Sequence, residues 1–259
     1  MWWDERVPAE PPPRPGVPAW ARRLTRETGW RVRDYTYAVR CQLHAPFASP
    51  ELPRPQRPVG RPVVLVPGVY ESWQFMLPLA RRLVHSGLVV HTVPELGRNA
   101  APVREQARVL TGVLEARDLR DVLLVAHSKG GLIGKLTMLT EDPEGRVAGM
   151  VTVNSPYAGT PLARWFPTRA VRAFRPGDPT LRALAAERAV DARIVALRSA
   201  WDPHIPGAGA LGGAADVVLE TPGHFLPLAD PAVVQAVHDA ACAPAPAPAQ
   251  PPDVLPPDA

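Results

Sequence analysis

Ser128 stands in the string Ala126-His127-Ser128-Lys129-Gly130-Gly131, directly after the apolar run 122–126 and directly before a helical pattern at 129–140. A serine between a strand and a helix has the setting of a nucleophile. Small flanking residues let strand and helix approach closely, the turn between them is sharp, and the helix start offers backbone N–H groups to a developing oxyanion. Serine at such a point also serves as a plain helix cap. The apolar strand before it and the stripe Leu132, Leu136, Leu139 behind it favour the nucleophile. Its hydroxyl then needs a base to take the proton and an acid to fix the tautomer of that base. Asp202 follows the apolar run 193–197 by a few residues, and His224 follows the run 217–219 in the loop Pro222-Gly223-His224-Phe225. Together they complete the chain order serine, acid, histidine.

The rivals have weaker settings. Asp191 precedes a strand instead of following it, and Asp216 opens the next strand at the wrong end of the sheet. His204 lies near Asp202 but before the last strand, and His127 is expected to point away from the serine and pack against neighbouring loops. His44, His85, His91 and His238 have no catalytic context. The oxyanion donors are read as the N–H of Lys129 and, from the loop Pro67-Gly68-Val69-Tyr70 after the run 63–66, the N–H of Val69, with Tyr70 as the alternative. The Lys129 side chain is expected to face solvent. Tyr70, Tyr157 and Trp165 are the candidate pocket residues, and no metal site is expected.

These residues need elements to hold them. The pattern predicts strands at 63–66, 88–93, 122–126, 147–153, 193–197 and 217–219, with an early strand or hairpin over 31–43. Helices are predicted at about 73–86, with Pro102 in the first turn of one that has Val103, Ala107, Leu110 and Leu114 on one face, at 129–140 and at 231–241. Strands alternating with helices make a mostly parallel sheet covered on both faces, with ligands beyond the carboxyl ends of the strands. Residues 159–191 carry Leu162, Trp165, Phe166, Val171, Phe174, Leu181 and Leu184 among many arginines, and are expected to form a short cap or lid.

The chain has 259 residues, enough for one large core at 19–242. Nineteen of its 34 prolines fall within 1–20, 46–62 and the stretch after 243, so 1–18 and 243–259 are expected to be disordered. The formal net charge is +4, with arginines spread along the chain and mostly alternating with acids; no nucleic-acid partner is expected. Cys41 and Cys242 are read as idle thiols, although one disulfide between them stays open. The start has neither a basic region nor an apolar run, and no stretch reaches the length of a membrane span, which together point to a cytoplasmic chain.

The strings around Pro67-Gly68-Val69, Ala126–Gly131, Asn154-Ser155-Pro156-Tyr157-Ala158-Gly159-Thr160-Pro161 and Pro222–Phe225 resemble bacterial α/β-hydrolases of the lipase/esterase group, in particular the small bacterial triacylglycerol lipases. The resemblance spans about residues 60–242. It implies the α/β-hydrolase fold, hydrolysis of a carboxylic ester or lipid-like small molecule through an acyl-enzyme, and no cofactor. Two positions depart from the group: Pro67-Gly68 stands where His-Gly is usual, and Lys129 replaces the usual apolar or histidine residue beside the nucleophile. An acyltransferase or thioesterase uses the same three groups, and a catalytically silent binding protein on this fold is the reading from another class.

Overall fold

The computed structural model describes residues 18–44, 49, 51–207 and 211–244, so most of both proline-rich end segments lies outside the described residues. In chain order the elements are α1 (Ala19–His44), β1 (Val59–Val66), α2 (Leu77–His85), β2 (Leu88–His91), α3 (Val103–Ala116), β3 (Val122–His127) and α4 (Lys129–Leu136). They continue with β4 (Val147–Val153), α5 (Arg169–Arg172), α6 (Pro179–Ala186), β5 (Ile194–Ser199), β6 (Ala215–Leu219) and α7 (Pro231–Cys242). The six strands form one sheet in the order β2-β1-β3-β4-β5-β6, and every neighbouring pair is parallel.

A parallel sheet must be covered on both faces, and the period-2 alternation of its strands does this here. Val64, Val66, Leu124 and Ala126 pack with Leu110 and Leu114 of α3, Leu132 of α4, and Leu181 and Leu184 of α6. Their neighbours Val63, Leu65, Leu123 and Val125 point the other way, onto Tyr37 of α1, Leu79 and Leu83 of α2, and Val233 and Val237 of α7. Each such side chain taken from water contributes about 1.5–3 kcal/mol before the entropy of ordering it. From β1 the chain runs outward to β2 and then returns to place β3 on the other side of β1. The loops after β1 and β3 therefore meet at a switch in strand order, the usual crevice of such sheets.

Residues 31–43 depart from the expected strand or hairpin: they belong to the 26-residue helix α1. The buried positions there are Asp34, Tyr37, Ala38 and Cys41, a helical spacing, whereas Val32, Tyr35 and Val39 face outward. The helix expected at 73–86 is a 3-10 turn (Trp73–Met76) running into α2. The helix after Ser128 ends at Leu136 and widens into a π-type turn over Thr137–Glu141.

Candidate active site

Six fully enclosed residues make β3, and the chain then turns abruptly at Ser128, whose φ of +50° and ψ of −117° lie outside the ordinary regions for a residue with a side chain. Such a conformation costs on the order of 1–3 kcal/mol and persists only where neighbours enforce it. Here the Ser128 N–H donates to the Val153 carbonyl at 2.9 Å, and α4 packs hard against the β1 end. A Cβ on Gly130 would lie 2.2 Å from the Val66 carbonyl oxygen, so no larger residue fits between α4 and β1. Lys129 opens α4, leaving its N–H without a partner inside the helix.

The structure brings the three sequence candidates together. His224 Nε2 is 3.1 Å from Ser128 Oγ, and His224 Nδ1 is 2.8 Å from Asp202 Oδ2. The second carboxylate oxygen of Asp202 accepts the N–H groups of His204 and Ile205 at 2.7 and 3.1 Å, which fixes the acid. Burial pushes the Asp202 carboxyl upward, but the charge and hydrogen bond of His224 outweigh it and hold it below the usual carboxylate range. The rivals are engaged elsewhere: Asp191 pairs with Lys135 at 2.6 Å in the interior, and Asp216 pairs with Arg198. His204 stacks on His224 with ring centroids 4.7 Å apart and bonds the Tyr35 hydroxyl through Nε2. Burial and the neighbouring His224 charge bring it down to about 4, so it is neutral near pH 7.

Three groups that sequence reasoning did not single out hold this geometry. Asp34 of α1 is fully buried and accepts the N–H groups of His224, Phe225 and Leu226 at 3.1, 2.8 and 2.7 Å. Gly223, at φ +121°, lies so close that a Cβ there would meet Asp34 Oδ1 at 2.3 Å. Asn154 donates through Nδ2 to the carbonyls of Gly223 and His224, both at 3.0 Å. Glu71 accepts the Gly68 N–H at 2.7 Å and meets His127 Nδ1 at 2.9 Å, while His127 Nε2 donates to the His224 carbonyl at 3.0 Å. His127 thus points away from Ser128 and ties the loop after β1 to the histidine loop. Burial disfavours its charged form, yet Glu71 and the accepting carbonyl outweigh this and raise its pKa.

Lys129 departs from expectation. Its side chain is buried, with Nζ donating to the carbonyls of Asn99 (2.7 Å) and Ala101. Asn99 in turn donates to the Pro67 carbonyl at 2.7 Å, so the lysine braces the loop after β1. Burial draws its ammonium down to about 8.

Ser128 and His224 open on a cavity of about 410 Å³. Val69 and Tyr70 form one side, Tyr35, Ala38 and Gln42 of α1 another, and Leu162, Ala163, Phe166, Val171 and Phe174 a third. Of the three candidate pocket residues only Tyr70 lines it. Tyr157 lies beneath Gly131, facing a separate small cavity beside Asp202, and Trp165 is 73% exposed on the outer side of a turn whose Ala163 points inward. In residues 159–191, Phe174, Leu181 and Leu184 also pack into the core, so this stretch both lines the cavity and belongs to the fold. Among the described residues no group of three or more His, Cys, Asp or Glu side chains is arranged to hold a metal ion.

No protein-family model matches the chain, and no curated protein matches it. Solved structures do. Over 68% of its length the chain superposes on a lipase from Bacillus licheniformis with a TM-score of 0.58 for the propeptide form and 0.56 for the mature form, at 15% identity. It spans 49% of the propeptide-form chain and 90% of the mature one. A hydrolase from Oleispira antarctica matches over 71% of this chain and 93% of its own, with a TM-score of 0.53 and 13% identity. An N-formylmaleamic acid deformylase from Pseudomonas putida matches over 70% and 92%, with a TM-score of 0.52 and 16% identity. At such identities the likeness shows the fold: this is an α/β-hydrolase fold, and its structural neighbours include bacterial lipases and other hydrolases.

Proposed function

We propose that this α/β-hydrolase-fold chain is a serine hydrolase of carboxylic esters, working through an acyl-enzyme on Ser128. The observation that carries the reading is the unbroken line from Asp202 to His224 to Ser128, at 2.8 and 3.1 Å, on the wall of a largely apolar cavity. Ser128 Oγ attacks the ester carbonyl while His224 Nε2 takes its proton, and the N–H groups of Lys129 and Val69 receive the oxyanion. The C–O bond to the alcohol breaks, the alcohol leaves with the proton from His224, and the acyl group stays on Ser128. A water molecule, deprotonated by His224, then releases the acid and restores the serine. Asp202 keeps Nδ1 protonated and stabilises the imidazolium in both halves. Tyr70 contributes to the acyl pocket, and residues 159–191 act as its cap. A cytoplasmic location is part of this proposal, supported by two cysteines that stand as free thiols.

The test is hydrolysis of p-nitrophenyl esters from acetate to palmitate by the wild type and by Ser128→Ala. Activity is expected for the wild type, with kcat lowered by at least about 10⁴-fold in the variant, the scale of losing a triad nucleophile. A cavity of about 410 Å³ favours short and medium acyl chains over palmitate. Equal rates for the wild type and a folded variant on every ester contradict the proposal.

A further inference from the structure

Twelve large apolar side chains are exposed among the described residues, and nine of them sit on the two elements that bound the cavity. Six are on α1: Trp20, Leu24, Val32, Tyr35, Val39 and Leu43. Three more, Leu162, Trp165 and Phe166, are on the turn opposite. At about 100° per residue the α1 set falls within an arc of roughly 140°, which also carries Thr28, Arg31 and Gln42, beside a buried arc carrying Asp34, Tyr37 and Cys41. Arg22, Arg26, Arg33 and Arg40 occupy the third side of the helix. The arc is continuous with the site, because Tyr35, Ala38 and Gln42 of α1 line the cavity.

Charge gathers at the same place. Residues 19–44 and 160–177 together hold ten arginines against two acids, Glu27, which pairs with Arg23, and Asp34, which is buried. The whole chain carries only +4, so the remainder is net acidic. An apolar arc about 35 Å long, edged by arginine, suits an interface that is greasy inside and anionic at its surface. Nucleic acid offers no counterpart to the apolar arc, and a second copy would set two such basic faces against each other. No described helix is long and apolar enough to cross a membrane, so α1 lies on a surface if it meets one.

We propose that the face formed by α1 and the turn at Pro161–Trp165 docks on an anionic lipid bilayer, with the cavity mouth toward the lipid. Docking itself is independent of the hydrolase reading. Its consequence, that a membrane-borne ester enters the cavity without crossing water, rests on it.

The experiment is co-sedimentation of the full chain with vesicles of phosphatidylcholine alone and of phosphatidylcholine mixed with phosphatidylglycerol. Binding at least about tenfold stronger to the mixed vesicles, weakening as salt rises, is expected. The exposed triple variant Leu24→Gln, Val32→Gln, Val39→Gln keeps good helix formers in α1 and is expected to lose that binding while hydrolysing p-nitrophenyl acetate as before. Arg22→Gln with Arg169→Gln and Arg172→Gln is expected to lose the preference for phosphatidylglycerol. Quenching of wild-type tryptophan fluorescence by brominated lipid, reduced in Trp20→Phe and reduced further when Trp165→Phe is added, checks the face without disturbing the fold. Ser128→Ala is expected to bind vesicles like the wild type, which separates failure of docking from failure of catalysis. No binding, equal binding to both vesicles, or full binding by the apolar triple variant overturns the proposal. A dimer that the triple variant abolishes also overturns it, assigning the face to a second copy.

Discussion

Two histidines stack beside Ser128, and their surroundings assign them different parts. His224 is bonded to both Ser128 and Asp202, whereas His204 bonds the Tyr35 hydroxyl and is held at about 4 by burial. His224→Ala is therefore expected to lower kcat by about 10⁴-fold or more, and His204→Ala by less than about tenfold, in steady-state ester hydrolysis. Equal losses would assign the base to either ring. His127 makes a different prediction, about stability. Its folded pKa lies above its unfolded value of about 6.5, so the pair with Glu71 contributes fully below that value and less as pH rises through the folded pKa. Glu71→Gln is expected to cost about 3 kcal/mol in urea unfolding at pH 6 and less at pH 9. A cost that grows with pH contradicts the sign. The candidate Ser128, Asp202 and His224 were legible because each follows an apolar run that makes a strand, and strand ends converge in a parallel sheet. Asp34 and Glu71 were not, since what defines them is distance in sequence. Asp34 lies 190 residues from the histidine whose N–H it accepts, and nothing local to it records that contact.

Among the elements, α1 shows where a local pattern misleads. Val32, Thr36 and Val39 are β-branched, but they face outward, and the helical spacing of the buried residues decides the structure. Once helical, α1 can present Asp34 to three consecutive N–H groups. Asp34→Asn replaces one accepting oxygen with a donor facing those groups, so it is expected to cost about 1–3 kcal/mol in thermal unfolding. A displaced histidine loop is expected to lower kcat up to about a hundredfold with KM little changed. Unchanged kcat in the folded variant removes Asp34 from the positioning of His224. The turn into α4 is the opposite case, because glycines marked it in the sequence and the geometry requires them. Gly130→Ala drives a methyl group against the Val66 carbonyl, and loss of soluble folded protein or a destabilisation above about 3 kcal/mol is expected.

At the scale of the molecule, the alternation of apolar runs and helical stripes was enough to indicate a covered parallel sheet, because both faces of every central strand are enclosed. The distribution of charge was not readable along the chain. Arginine looks evenly spread in the sequence, and only folding brings α1 and residues 160–177 to the same cavity. Lys129 is similar: a charged residue at a helix start reads as solvent-facing until the carbonyls of Asn99 and Ala101 close over it. The molecule thus holds its site from three sides, the sheet ends, the buried loop network, and a helix that precedes the whole alternating fold. The claim on which all of this bears is that Ser128 becomes acylated. It is tested most directly by incubating the chain with an alkyl p-nitrophenyl phosphonate and locating the adduct by peptide mass spectrometry. A single adduct on Ser128, absent from Ser128→Ala and slowed in His224→Ala, is the predicted result. An adduct on another residue, or none in a folded wild type that still hydrolyses esters, contradicts it.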